Sequence, residues 1–151
     1  TRLTSVVPTR SGYAFGGWSK SATSISAMYS PGASATFSED TTLYAVWVAN
    51  DYSVAFNANG GTGTMATQAM TYGTPTSLSI NEFTRPGYAF AGWSLTADGE
   101  VAYADGAAVT GIATGSGETV MLYAVWTLLR LAAWGIRKVL HKKNNQNTNK
   151  K

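Results

Sequence analysis

Thr84-Arg85-Pro86-Gly87-Tyr88-Ala89-Phe90-Ala91-Gly92-Trp93-Ser94 decides how this chain is read, because it occurs twice. The earlier copy is Thr9-Arg10-Ser11-Gly12-Tyr13-Ala14-Phe15-Gly16-Gly17-Trp18-Ser19, which departs from the later one only at Ser11 and Gly16. A second echo follows each copy: Leu43-Tyr44-Ala45-Val46-Trp47 returns unchanged as Leu122-Tyr123-Ala124-Val125-Trp126. Recurrence at this scale fixes the unit of folding before any single residue is weighed.

Inside the motif, Gly12-Tyr13-Ala14-Phe15 alternates large and small residues, the pattern of a half-buried strand. Gly16-Gly17 permits a tight bend, and Trp18 then plugs the core with an indole N–H that needs an acceptor. In Thr42–Val48, Leu43, Ala45 and Trp47 share one face while Tyr44 and Val46 share the other. Both faces are apolar, which predicts a central strand covered on two sides.

The second unit opens with Tyr52, Val54 and Phe56 alternating with Ser53, Ala55 and Asn57. Asn59-Gly60-Gly61-Thr62-Gly63 is a turn, and Met65–Tyr72 the return strand of a hairpin. Nothing in the first copy corresponds to Tyr52–Tyr72. The first module therefore lacks its opening strand pair and carries an open sheet edge, open to pairing with other chains or with a second copy. Leu78–Phe83 fits a strand or one helical turn. Val101–Tyr103 is a short strand, and Thr119–Trp126 closes the unit. The expected core is Tyr13, Phe15, Trp18, Trp47, Phe56, Tyr88, Phe90, Trp93 and Trp126.

Composition agrees with an exported β module. Of 151 residues 13% are charged, about half the usual globular share, so Ser, Thr, Asn and Gly build the surface. The net charge of +3 conceals a split. Residues 1–126 hold four basic and eight acidic residues, whereas 127–151 hold seven basic and none acidic. The absence of cysteine excludes disulfides and thiolate metal sites. No signal peptide opens the chain, so an export signal would lie on residues preceding Thr1.

Three blocks in order, Tyr-x-Val-x-Phe-x-x-Asn-Gly-Gly, Thr-Arg-x-Gly-Tyr-x-Phe-x-Gly-Trp and Leu-Tyr-Ala-x-Trp, resemble the Listeria–Bacteroides repeat, the type of the internalin B-repeats. The resemblance covers Tyr52–Trp126 fully and Thr9–Trp47 in part. It implies a β-grasp-like module, hence a mainly β (α+β) fold. It also implies a place in tandem arrays on secreted or surface-attached bacterial proteins. The expected organisation is a partial repeat at 1–49, a complete one at 50–126, and a segment at 127–151 with no counterpart in the repeat.

That last segment changes to helix formers at Thr127–Leu140. Arg130, Arg137 and His141 fall in one arc at helical spacing, flanked by Lys138, with Leu128, Leu131, Ala132 and Val139 elsewhere. Fourteen residues of helix span about 21 Å, short of the ~30 Å hydrocarbon layer, so the segment does not cross a membrane. Arg130, Arg137, Lys138, Lys142 and Lys143 are candidate contacts to an anionic membrane surface, against the alternative of a helix packed on the second module. His141–Lys151 is expected to be disordered and to attract nucleic acid only non-specifically.

No catalytic constellation stands out. The Gly-rich run Asn57–Gly63 is followed by no Lys-Ser/Thr, so it reads as a turn and not a phosphate loop. Asp98, Glu100 and Asp105 are the densest carboxylates, but their spacing fits neither a calcium loop nor a defined acid/base pair. The lone histidine, His141, lies outside the repeats, which argues against a triad. Tyr13, Phe15, Trp18, Tyr88, Phe90 and Trp93 would suit a sugar-binding platform, though core packing explains them as well. Tyr44 and Tyr123 are the aromatics expected at the surface.

The expectation is a non-enzymatic repeat module without cofactor or metal, a spacer or adhesive unit of a bacterial surface or secreted protein. Its partner would be a protein or glycan on a host or neighbouring cell. The alternatives are a carbohydrate-binding module and membrane-surface association through 127–143.

Overall fold

The structure, a computed structural model, describes residues 1–130. These residues form eight strands and no α-helix. The mainly β expectation holds. The helix expected from Thr127 does not begin there: Thr127 and Leu128 are the last residues of a strand, paired with Ala89 and Tyr88, and Arg130 is exposed, while residues 131–151, with Arg137, Lys138, Lys142 and Lys143, lie outside the described residues.

In the first repeat, β1 (Tyr13–Ser19) pairs antiparallel with β2 (Tyr44–Ala49). The second repeat is larger. Its strands β3 (Asp51–Asn57), β4 (Gln68–Thr71), β6 (Tyr88–Ser94) and β8 (Thr119–Leu128) form a sheet in the order β4-β3-β8-β6. The central pair β3 and β8 runs parallel, and both flanking pairs are antiparallel. Two short strands, β5 (Thr76–Ser77) and β7 (Ala108–Val109), pair beside it.

The duplicated sequence builds duplicated geometry. Phe15 lies opposite Trp47 and Trp18 opposite Ala45, just as Phe90 lies opposite Trp126 and Trp93 opposite Ala124. Both hairpins shift register at the same place, between Phe15 and Gly17 and between Phe90 and Gly92. This bulge inserts one extra residue and turns the tryptophan inward.

Only the second repeat closes a core. Tyr52, Val54, Met70, Leu78, Phe83, Trp93, Val109, Ala113, Leu122 and Ala124 form one buried cluster, with Phe56, Phe90 and Trp126 packed against it. Trp93 is 0% exposed, with Phe56, Phe83 and Phe90 around it at ring-centroid distances of 4.8, 6.2 and 4.8 Å. In the first repeat Trp18 stays half-buried, as do Tyr13, Phe15 and Trp47. A two-stranded sheet has no opposing layer to bury such side chains. Its loops supply partial cover, through Tyr29 bridged to Trp18 and packed on Phe37.

Several expectations need correction. Thr42–Val48 is not a central strand: β2 begins at Tyr44, its sheet has two strands, and Tyr44 and Val48 are 41% and 53% exposed. The reason is the missing neighbour, since the matching run in β8 lies between β3 and β6. The indole N–H groups of Trp18 and Trp93 are buried without an acceptor among the described residues. Leu78–Phe83 is neither strand nor helical turn; it is irregular chain that sinks Leu78 and Phe83 into the core. Val101–Tyr103 contributes a single bridge to Trp93 in place of a strand, and the return strand is confined to Gln68–Thr71.

The repeats join through one residue, Asn50. Its N–H donates to Gly12 O (2.9 Å), its carbonyl accepts from Tyr72 N (2.9 Å), and its Nδ2 donates to Thr114 O (2.7 Å). Tyr13 and Tyr72 meet edge to face at 5.5 Å. Gly12, at φ +80°, lies directly against the Tyr72 ring, where a Cβ would collide.

Candidate functional site

The most specific local geometry lies where the β3–β4 turn docks on the duplicated motif. Asn59 adopts φ 45°, a conformation that asparagine tolerates better than most side chains. Its Nδ2 donates to Ala97 O (2.7 Å) and to Ala124 O (2.9 Å). The Trp126 indole donates to Ala58 O at 2.9 Å. Thr62 and Thr84 exchange backbone hydrogen bonds of 2.7 and 3.0 Å.

Close approach explains the glycines of the turn. A Cβ on Gly61 would come 2.6 Å from the Trp126 ring and 2.9 Å from Thr84 O. A Cβ on Gly60 would come 3.3 Å from the guanidinium carbon of Arg85, which itself lies 3.9 Å over the Tyr88 ring. Asn-Gly-Gly is thus both a hairpin turn and a plug, seated in a socket formed by Thr84, Arg85, Ala97, Ala124 and Trp126.

The first repeat carries the same socket residues at Thr9, Arg10, Ala22, Ala45 and Trp47. Arg10 lies 4.1 Å over Tyr13, as Arg85 does over Tyr88. Among the described residues no turn fills this second socket, and Trp47 makes no counterpart of the Trp126 hydrogen bond. The neighbouring edge is bare too. In the second repeat, residues 119–123 of β8 pair with residues 53–57 of β3. Their counterparts, residues 40–44, face no strand on that side, and 40–43 make no backbone hydrogen bond among the described residues.

The expected core residues divide between the repeats. Trp93 is buried, Phe56, Tyr88, Phe90 and Trp126 are half-buried in the second repeat, and Tyr13, Phe15, Trp18 and Trp47 are half-buried in the first. Of the surface tyrosines, Tyr44 is exposed and Tyr123 half-buried. Around Phe15 the rings of Trp18 and Trp47 stand at 68° to it, edge to face, which is not the flat platform a sugar ring stacks on.

Little of this site could be found from residue types alone. Asn59 reads as a turn residue, and its partners are backbone carbonyls, which carry no sequence signal. The available hint was that Thr-Arg, the alanines at 22 and 97, and Trp47 with Trp126 recur together.

Acidic side chains are used locally. Asp105 accepts Asn81 N (2.8 Å), Glu118 accepts Gly115 N (3.0 Å), and Asp51 accepts the Thr71 hydroxyl (2.7 Å). A shallow depression of about 380 Å³ over β3 and β4 is lined by Asp51, Ser53, Met70 and Thr71 and brings no acid and base together. Among the described residues no group of three or more His, Cys, Asp or Glu is placed to hold a metal. Likewise, none of them forms a helix long and apolar enough to cross a membrane.

Two successive β units sharing one strand-pair geometry and linked through Asn50 define a tandem β-repeat protein. The chain belongs to the Listeria-Bacteroides repeat domain family, whose pattern matches residues 1–46 and again 52–125. Comparison with curated proteins and with solved structures gives no match.

Proposed function

We propose that this chain is a non-enzymatic segment of a repeat array on a bacterial surface or secreted protein, a spacer that also offers its edges and loops to a protein or glycan partner. The observation that carries the reading is the junction. Asn50 is hydrogen-bonded to Gly12, Tyr72 and Thr114, so successive repeats are held in a set relation and not hung on a loose linker. Membership of a repeat family found in surface and secreted proteins supports the same location.

The units of this reading are a partial repeat at 1–49, a complete one at 50–126 and a basic segment at 127–151. The sheet order, with first and last strands parallel at its centre, supports a β-grasp-like module whose crossing segment is irregular chain. Edge-to-face packing around Phe15 does not favour the carbohydrate-binding alternative. Apart from Arg130, the residues on which membrane-surface attachment rests lie outside the described structure.

Single-molecule extension of the chain, held at both ends, tests the spacer role. A resistive, cooperative unfolding step that releases the length of residues 51–126 is expected. Smooth extension without such a step would contradict it.

A further inference from the structure

We infer that Asn59-Gly60 is a self-modifying site: its side-chain amide converts to a carboxylate when the β3–β4 turn leaves its socket, and the seated turn holds that reaction shut. This is independent of the spacer reading and of where the protein resides.

The sequence supplies the reactants. Asn59-Gly60 is the one Asn-Gly pair in the chain; Asn50, Asn57 and Asn81 precede Asp, Ala and Glu. In such a pair the Gly60 nitrogen attacks Cγ of Asn59. A C–N bond forms, the Cγ–Nδ2 bond breaks, and Nδ2 leaves as ammonia with the proton of the Gly60 N–H. Water then opens the five-membered imide to aspartate or, at its other carbonyl, to isoaspartate. Glycine favours the attack because no Cβ crowds its nitrogen. Gly60 is exposed and Asn59 half-buried, so water reaches the pair.

The socket opposes each step. The two protons of Nδ2 are donated to Ala97 O (2.7 Å) and Ala124 O (2.9 Å), and both bonds must break before that nitrogen departs. Carbonyl oxygens only accept, so neither can hand the leaving group a proton. The backbone is tied on both sides of the reacting pair. Asn59 N donates to Asn57 Oδ1 (2.8 Å), and Gly61 N donates to Ala58 O (2.9 Å), which also accepts from the Trp126 indole (2.9 Å).

The product cannot reseat. A carboxylate at position 59 would set oxygen against Ala97 O and Ala124 O with no proton between them. Isoaspartate also adds a methylene to the backbone ahead of Gly60, and the turn has no slack there: even a Cβ on Gly61 would come 2.6 Å from the Trp126 ring. Undocking of the turn is thus recorded covalently, and only in the second repeat, because the first contains no Asn-Gly pair.

The test uses the full chain at mildly alkaline pH, folded and in enough urea to unfold it. Intact mass follows the conversion of amide to acid, and digestion places it. Conversion at Asn59 should run at least about tenfold slower in the folded chain than in urea. Trp126→Phe, which releases Ala58 O, should speed the folded-state reaction and leave the rate in urea unchanged. Asn59→Asp should raise amide exchange at residues 122–126 and leave that of residues 13–19 as it was. Equal rates at Asn59 in the folded and unfolded chain would overturn the inference. So would a folded-state rate unmoved by Trp126→Phe, or wild-type exchange at 122–126 in Asn59→Asp.

Discussion

The two repeats contain the same eleven-residue motif in nearly the same words, and the same five-residue closing strand, yet one closes a cluster of buried side chains and the other buries only Val46 among its large apolar residues. Their hairpins agree in register and in the position of the bulge. They part where long-range partners enter. Leu122 and Trp93 are 0% exposed because β3 and the Phe83 segment cover them; Leu43 and Trp18, identical in type, lack that layer. Local sequence sets the hairpin, and burial is set by what is paired alongside it.

The largest contrast is expected at the two tryptophans. Trp93→Ala should cost the second repeat about 3–5 kcal/mol, as large aromatic deletions in cores do. Trp18→Ala should cost the first about 1–2 kcal/mol, in keeping with partial burial. Denaturant unfolding followed separately at residues of each repeat by NMR measures both; equal losses would break the comparison.

The paired glycines come next. Gly12 and Gly87 have φ of +80° and +79°, so alanine strains the backbone equally at both. Only Gly12 faces the Tyr72 ring, whereas nothing lies within 4 Å of a Cβ at Gly87. Gly12→Ala should therefore be worse than Gly87→Ala by about 1–3 kcal/mol, a difference that reports the junction alone. Thermal unfolding of both variants provides it.

Asn59→Ala removes two hydrogen bonds to carbonyls and should cost about 2 kcal/mol. Exchange at Ala124 and in β8 should rise with it, moving the second repeat toward the first. The smallest effect separates the closing tryptophans. Trp126→Phe loses a bond to Ala58 O and should cost about 1 kcal/mol. Trp47→Phe, with no such bond, should stay within about 0.5 kcal/mol.

Much of the fold was legible from the chain. The alternation of Tyr52, Val54 and Phe56 marked β3, the Asn-Gly-Gly turn marked the hairpin, and the duplicated motif marked β6 and β8. What misled was the apolar character of both faces in Thr42–Val48. That pattern fits a strand covered on both faces, as β8 is between β3 and β6, whereas among the described residues β2 pairs with β1 alone, so propensity promised a centre where the sheet has an edge. Leu78 and Phe83 were ambiguous because an irregular segment can bury two side chains without either period. The socket stayed hidden because its acceptors are peptide carbonyls at Ala58, Ala97 and Ala124, positions whose side chains announce nothing.

Native-state hydrogen exchange compared between residues 119–123 and 40–44 probes the central claim most directly. Amides at 120–123 should open only with global unfolding of the second repeat, while those at 41–44 should exchange within about 10- to 100-fold of an unstructured chain. Matched protection at the two sites would mean that the identical sequences are buried alike, and the contrast drawn between the repeats would be wrong.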